Sequence, residues 1–129
     1  MIRVKMKKIL IVDDQLEVRE LVQVTLEIGD YQILTAENGK EAIEVAQREH
    51  PDIILLDIMM PGSDVDGLEA CRRLKSDTAT EDITIVMLSA KGQDDDIEVG
   101  KAAGADDYFT KPFSPIALIE KVEEVMSRP

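Results

Sequence analysis

The chain has 129 residues and a formal net charge of -12, from 27 acidic and 15 basic side chains. This length suits a single domain, and the acidic balance repels phosphate backbones, so we expect no direct binding to nucleic acid. The aromatic content of 3% leaves little material for stacking on flat ring cofactors. No apolar run approaches the roughly 20 residues of a membrane span, and the single cysteine excludes an internal disulfide. The expected location is the cytoplasm.

Short apolar runs predict five strands. In chain order they cover residues 9–12, 31–35, 53–56, 83–88 and 107–109, and the second and last are the weaker candidates. Segments with helical spacing lie between and after them. Strict alternation of strand and helix predicts an α/β domain with a parallel sheet that is covered by helices on both faces.

The helices are predicted from apolar stripes and from their start signals. In the first helix the stripe contains Val18, Leu21, Val22 and either Thr25 or Leu26. Asn38 precedes the second helix, and Ser114-Pro115 precedes the fifth, as is typical of helix starts. The fourth helix, about 94–103, is interrupted by Gly100 and has a thin apolar face, so we predict that it is the most mobile element.

Polar side chains follow four of the predicted strands. Asp13 and Asp14 follow the first, Asp57 the third and Ser89 the fourth, while the fifth runs into Lys111. Ligands of open parallel sheets bind beyond the carboxyl ends of the strands. The sequence therefore places these side chains at one edge of the sheet.

Three carboxylates at one edge would repel one another without a counter-charge, so Asp13, Asp14 and Asp57 suggest a site for an oxygen-ligated divalent cation. Mg²⁺ fits best, because it accepts one or two protein carboxylates together with waters and phosphate oxygens. A simpler interpretation is that Asp13 and Asp14 only cap the first helix, where the helix dipole favours anions. On these two residues alone, both interpretations stay open.

Asp57, held at the tip of an apolar strand beside a cation, could act as a nucleophile toward phosphorus. Ser89 could donate a hydrogen bond to a phosphoryl oxygen, although an isolated serine after a strand is more often a turn residue. Lys111 could pair with Asp57 or with a phosphoryl group, although most lysines are solvated. The prediction of phosphoryl chemistry therefore depends on finding all of these side chains together at the ends of neighbouring strands.

Four motifs, ILIVDD, LLDIMMPG, VMLSA and GADDYFTKPF, occur in an order and spacing that closely resemble the receiver domain of bacterial response regulators. The resemblance covers nearly the whole chain. It implies a single (βα)5 receiver domain over residues 1–129 with flavodoxin-like strand order 2-1-3-4-5 and no output domain. A stand-alone regulator and a receiver from a longer protein both remain open.

The resemblance also implies roles for the polar side chains. Asp57 would accept a phosphoryl group from the phosphohistidine of a sensor histidine kinase or a histidine phosphotransfer protein. Mg²⁺ would bind Asp13, Asp14, Asp57 and the backbone carbonyl of Met59. The protein would then be a switch that catalyses its own phosphorylation and slow dephosphorylation, rather than an enzyme acting on a separate substrate.

The same resemblance implies that Ser89 and Lys111 contact the phosphoryl oxygens and that Tyr108 is an aromatic switch, turning inward when Ser89 moves. The output would be read from the face formed by the fourth helix, fifth strand and fifth helix. The implied partners are a downstream effector or output domain and a second copy of the chain in a phosphorylation-dependent homodimer.

Two features depart from the family pattern. The loop 62–66 is about two residues longer than usual, and Met59 and Lys91 stand where the family tunes hydrolysis, which predicts a long-lived phosphoryl aspartate. Two other classes of function fit the sequence less well. A magnesium phosphohydrolase would need a second acid two residues after Asp57, where the chain has Met59, and a flavin carrier would need a phosphate cradle where the chain has Asp13 and Asp14.

Overall fold

The computed structural model describes residues 6–90, 94–111 and 114–128. Within them, strands and helices alternate strictly along the chain. The strands are β1 (Lys7–Val12), β2 (Tyr31–Ala36), β3 (Ile53–Asp57), β4 (Thr84–Ala90) and β5 (Asp107–Lys111). The helices are α1 (Leu16–Leu26), α2 (Gly39–Glu49), α3 (Gly67–Ser76), α4 (Asp94–Ala103) and α5 (Pro115–Met126).

The five strands form one parallel sheet in the order β2-β1-β3-β4-β5. This order confirms the predicted flavodoxin-like α/β fold. β1 and β3 are neighbours at the point where the strand order reverses. Since the chain leaves β1 and β3 at the same edge, the segments that follow these two strands meet there.

Both faces of the sheet are buried, which explains why the central strands are continuous apolar runs. Leu10, Ile54 and Met87 belong to the core on the face covered by α2, α3 and α4. The neighbouring residues in sequence point to the other face, where the core includes Val22 of α1 and Val122 of α5. The helices therefore lie on both sides of the sheet, as the alternation predicts.

The predicted start signals are confirmed at two helices. The backbone N–H of Glu41 donates to Asn38 Oδ1 at 2.8 Å at the start of α2. At the start of α5 the N–H of Ala117 donates to Ser114 Oγ at 3.1 Å. Each cap satisfies one of the amide groups that the first turn of a helix leaves without a partner.

Two details differ from the sequence prediction. β1 begins at Lys7 rather than Ile9, because the polar residues Lys7 and Lys8 pair with Tyr31 and Gln32 through their backbones, which a hydrophobic pattern does not reveal. The placement of Leu21 in the buried stripe of α1 is wrong. Its side chain is 49% exposed, because the stripe that faces the sheet is centred on residues 22, 25 and 26.

α4 spans the predicted residues, and in the part whose side chains are described, residues 98–103, the core contact is made by Ala103. Gly100 and Ala103 are buried, while Val99 is exposed, which agrees with the thin apolar face expected for this helix. Its mobility stays a prediction. In the described part of the chain the longest helix has 12 residues, and none of the helices is long and apolar enough to cross a membrane.

Candidate functional site

The acidic residues meet at the carboxyl edge of the sheet. Val12 is paired with Leu56, so the residues that follow them, Asp13 and Asp57, come next to each other as the chain leaves β1 and β3. Carboxylate oxygens of Asp13, Asp14 and Asp57 all lie within 4.8 Å of one another. The prediction that these three side chains come together is therefore confirmed.

The three carboxylates differ in their environment. Asp13 is fully buried, Asp57 is 6% exposed and Asp14 is open to solvent. Taking two carboxylates out of water so close together is unfavourable unless positive charge is nearby. An all-oxygen donor set with one open side suits a hard cation such as Mg²⁺, which keeps several waters, better than a soft metal.

Asp13 is held by its neighbours rather than serving as a helix cap. The backbone N–H of Gln15 donates to Asp13 Oδ1 at 2.9 Å, and Arg19 Nη1 donates to the Asp13 carbonyl oxygen at 2.7 Å. The N-cap of α1 is Gln15, whose side chain makes no capping hydrogen bond. Asp13 and Asp14 therefore precede the N-cap residue, so side-chain capping does not explain the acidic pair, whereas a favourable effect of the helix dipole stays a prediction.

Asp57 ends β3, and backbone N–H groups hold both its side chain and the residue that follows it. The N–H of Met59 donates to Asp57 Oδ1 at 3.2 Å, and the N–H of Ile58 donates to the Leu88 carbonyl at 3.1 Å. Gly67, the first residue of α3, lies directly behind this segment. A Cβ on Gly67 would collide with the Asp57 carbonyl oxygen and lie 2.9 Å from the Asp57 carbonyl carbon.

Ser89 and Lys111 lie on the two strands beyond β3. Asp57 is paired with Leu88, so buried Ser89 is one residue further along β4, next to Thr110 of β5. The backbone of Lys111 is paired with Ala90 at the end of β5, but its side chain lies outside the described part of the structure. Both residues are therefore at the predicted edge, and their contacts with a phosphoryl group stay a prediction.

Met59 is 60% exposed beside the acidic cluster. Its backbone N–H already contacts Asp57, and the role of its carbonyl as a metal ligand stays a prediction. Lys91, the other residue expected to influence hydrolysis, lies outside the described residues.

Tyr108 is partly buried on β5, where it is paired with Met87 and packs against the core beneath α4. A Cβ on Gly100 would be only 2.9 Å from the Tyr108 ring, so the ring occupies space that a larger residue in α4 would fill. The hydroxyl is buried and has no hydrogen-bond partner among the described residues. Burial raises the pKa of this phenol, and Cys71 and Asp107 add to the effect.

β5 is also joined to α5 through Asp107. Arg128 Nη2 and Lys121 Nζ lie 2.7 and 3.3 Å from Asp107 Oδ2, and the N–H of Tyr108 donates to Asp107 Oδ1 at 2.7 Å. Burial alone would raise the pKa of Asp107, but these hydrogen bonds and charges lower it below the ordinary value. The carboxylate is therefore ionised at neutral pH and fastens α5 to the strand that carries Tyr108.

Sequence reasoning did not identify three residues that shape the site. Arg19 donates a hydrogen bond to the Asp13 carbonyl oxygen. Gly67 packs against the backbone of Asp57, and Gly39 packs against the loop before α3. An Asp-Gly pair before a helix was the only signal for Gly67. The close approach of two backbones becomes visible only when the elements are packed.

The comparisons with known proteins agree with this geometry. The family model described as response regulator receiver domain matches residues 9–123. The phosphate regulon transcriptional regulatory protein PhoB of Pseudomonas aeruginosa is 49% identical over 122 residues, covering 95% of this chain and 52% of the relative. The alkaline phosphatase synthesis transcriptional regulatory protein PhoP of Bacillus subtilis is 42% identical, with 95% and 49% covered. The chain thus spans about half the length of these curated relatives.

A solved structure shows the same fold over nearly its full length. The chemotaxis protein CheY4 of Vibrio cholerae superposes with a TM-score of 0.86 at 32% identity, covering 94% of this chain and 99% of that one. The family match, the relatives, the strand order and the acidic edge lead to one conclusion: this chain belongs to the receiver domain family of two-component response regulators.

Proposed function

We propose that Asp57 is the phosphoacceptor of a two-component or phosphorelay pathway in the cytoplasm. The donor would be the phosphohistidine of a sensor histidine kinase or a histidine phosphotransfer protein. An Asp57 carboxylate oxygen forms a bond to phosphorus while the bond from phosphorus to the histidine nitrogen breaks. The observation that carries this proposal is the cluster of three carboxylates, with Asp57 held at the tip of a buried strand.

The chain would hold Mg²⁺ through Asp13, Asp14, Asp57 and the carbonyl of Met59. Bound there, the ion would offset negative charge on the phosphoryl oxygens. Asp13 and Asp57 are already fixed by backbone hydrogen bonds, so ligands need little reordering on binding. The Ser89 hydroxyl and the Lys111 ammonium would contact the remaining phosphoryl oxygens.

The new charge on Asp57 would be reported through Ser89 and Tyr108 to the face formed by α4, β5 and α5. Tyr108 and Gly100 contact each other on this face, and Asp107 joins its strand to α5. A switch of this kind needs two conformations that differ by only a few kcal/mol. The face would then engage an effector, an output domain or, in a phosphorylation-dependent homodimer, a second copy of the chain.

Intact mass after incubation with acetyl phosphate tests the proposed chemistry. We expect one phosphoryl adduct in the presence of Mg²⁺, no adduct after removal of divalent cations, and no adduct on Asp57→Asn. Asp64→Asn is the matched control, since it makes the same chemical change at an exposed carboxylate outside the cluster. An adduct that survives Asp57→Asn would contradict the assignment. Release of phosphate from added phosphate esters would instead favour a phosphohydrolase.

The phosphoryl group on Asp57 is expected to be long-lived, because the Met59 thioether is too weak an acceptor to orient an attacking water. Met59→Asn introduces an amide that can hydrogen-bond water and should shorten the lifetime several-fold. The measurement follows the decay of the adduct mass in Mg²⁺ buffer after acetyl phosphate is removed, with Met59→Leu as the apolar control. Decay of the wild type within seconds would contradict this prediction.

A further inference from the structure

The loop Gly62–Asp66, which is longer than usual for this family, packs against the start of α2. Val65 is 8% exposed and belongs to the core beneath α2 and α3. Gly39 leaves the space for it. A Cβ on Gly39 would collide with the Val65 carbonyl oxygen and lie 2.7 Å from Val65 Cγ1.

The contact with α2 at Gly39 is made by the side chain and the backbone carbonyl of Val65. A cavity of about 270 Å³ remains between the loop and α2, lined by Asn38, Lys40, Gly62, Ser63, Asp64 and Val65. Asp64 is exposed, and Gly62 turns the chain with a φ of 87° in open space. Val65 is therefore the buried apolar anchor of a loop whose other residues are exposed or only half-buried.

The end of the loop is tied to the acidic cluster. Asp66 Oδ1 accepts the N–H of Glu69 at 2.9 Å and so caps α3. The next residue, Gly67, abuts the backbone of Asp57. Only Asp66 separates the anchor on α2 from the contact with Asp57, so a shift of Val65 is transmitted over a very short length of chain.

The beginning of the loop is tied to the same cluster. Buried Met60 precedes the turn, and its carbonyl accepts the N–H of Ser63 at 3.3 Å. Met59, immediately before it, hydrogen-bonds Asp57 Oδ1 through its N–H. The segment that carries Asp57 and Met59 is thus attached to the anchored loop at both ends.

We propose that Val65 is a positioning residue for the cation site: seated against Gly39, it holds the long loop on α2 and thereby sets the geometry of Asp57 and Met59. This inference rests on the proposed function. It implies that the two extra residues of the loop are fastened to α2 through Val65 and that their removal or loosening alters cation affinity rather than only stability.

The test compares two valines of similar burial on opposite sides of the sheet. Val65→Ala removes the anchor, while Val125→Ala makes the same truncation in α5, where the side chain is 5% exposed and packs on the other face. Mg²⁺ affinity is measured by calorimetry, amide shifts of residues 57–60 by NMR, and stability by urea unfolding.

We expect Val65→Ala to weaken Mg²⁺ binding at least threefold and to shift the amide signals of Met59 and Met60. Val125→Ala should lower the unfolding midpoint comparably and leave the affinity unchanged. Gly39→Ala, which displaces the anchor from the opposite side, should reproduce the loss, whereas Val65→Thr, which keeps the branched shape of valine but adds a hydroxyl, should retain more of the affinity than Val65→Ala.

Equal Mg²⁺ affinities for Val65→Ala and Val125→Ala would overturn the inference while leaving the proposed function intact. If Val65→Ala does not fold, Gly39→Ala decides in the same way, and an unchanged affinity there overturns it. Failure of the wild type to bind Mg²⁺ would overturn the proposed function and this inference together.

Discussion

Gly67→Ala is expected to lower the rate of phosphoryl adduct formation by roughly a hundredfold, the scale of effect that about 1 Å of misplacement of a reacting group produces. The added methyl group would collide with the carbonyl oxygen of Asp57. Because the opposing atoms belong to the backbone, they cannot turn aside as a flexible side chain can. The strand tip or the start of α3 must move, and the carboxylate of Asp57 moves with it.

The rate is measured from the growth of the phosphoryl adduct signal in mass spectra, with acetyl phosphate in Mg²⁺ buffer. Urea unfolding should show that Gly67→Ala lowers the free energy of unfolding by about 3 kcal/mol. Gly62→Ala, in the loop that precedes α3, is the matched control. Gly62 has a positive φ, so the substitution strains the backbone, but its Cβ would meet no atom within 4 Å. Stability should fall there with little change in rate. A wild-type rate for Gly67→Ala would contradict the proposed rigid contact.

Magnesium is expected to stabilise the wild type against unfolding, by about 2.7 kcal/mol at a concentration one hundred times its dissociation constant. The unfolded chain does not hold Asp13, Asp14 and Asp57 together, so the ion binds mainly the folded state. Asp14→Asn should remove most of this gain. Asp14 is exposed, so the substitution is not expected to disturb the core.

The measurement is urea unfolding with MgCl₂ and with NaCl of equal ionic strength, because salt alone screens repulsion among acidic side chains. Asp64→Asn provides the control. It lowers the negative charge by the same amount on the neighbouring loop and should keep the full response to Mg²⁺. If both variants respond alike, the ion acts on the overall charge, and the three carboxylates are not a specific site.

Much of the architecture could be predicted because the central strands are apolar on both faces. The runs at 9–12 and 53–56 lie wholly within β1 and β3. The polar start of β1 could not be predicted in this way, since Lys7 and Lys8 join the sheet through backbone hydrogen bonds. Leu21 was misplaced because the stripe that faces the sheet is centred on residues 22, 25 and 26, and Leu21 lies about 100° around the helix from Val22, beyond the edge of that stripe.

The positions of the acidic side chains could be predicted from the sequence, but the residues that hold them in place could not. The carboxyl-edge rule was enough to bring Asp13 and Asp57 together, and the structure shows that these carboxylates cluster and that Gln15 is the N-cap of α1. Gly39 and Gly67 carry no functional group, so their importance depends on which backbone lies opposite. The path of the loop before α3 could likewise not be predicted, because a single valine in a polar segment does not show which element it packs against.

The buried hydroxyl of Tyr108 affects the free energy of this conformation. It is enclosed beside α4 without an acceptor among the described residues, and a buried donor left in this way costs about 1–3 kcal/mol. Any rearrangement that offered the hydroxyl an oxygen would recover that free energy, and each 1.4 kcal/mol changes a ratio of populations about tenfold. In the proposed switch, an unmade hydrogen bond of this size would narrow the free-energy gap between this conformation and one in which the hydroxyl has an acceptor, so that phosphorylation of Asp57 would have less to overcome.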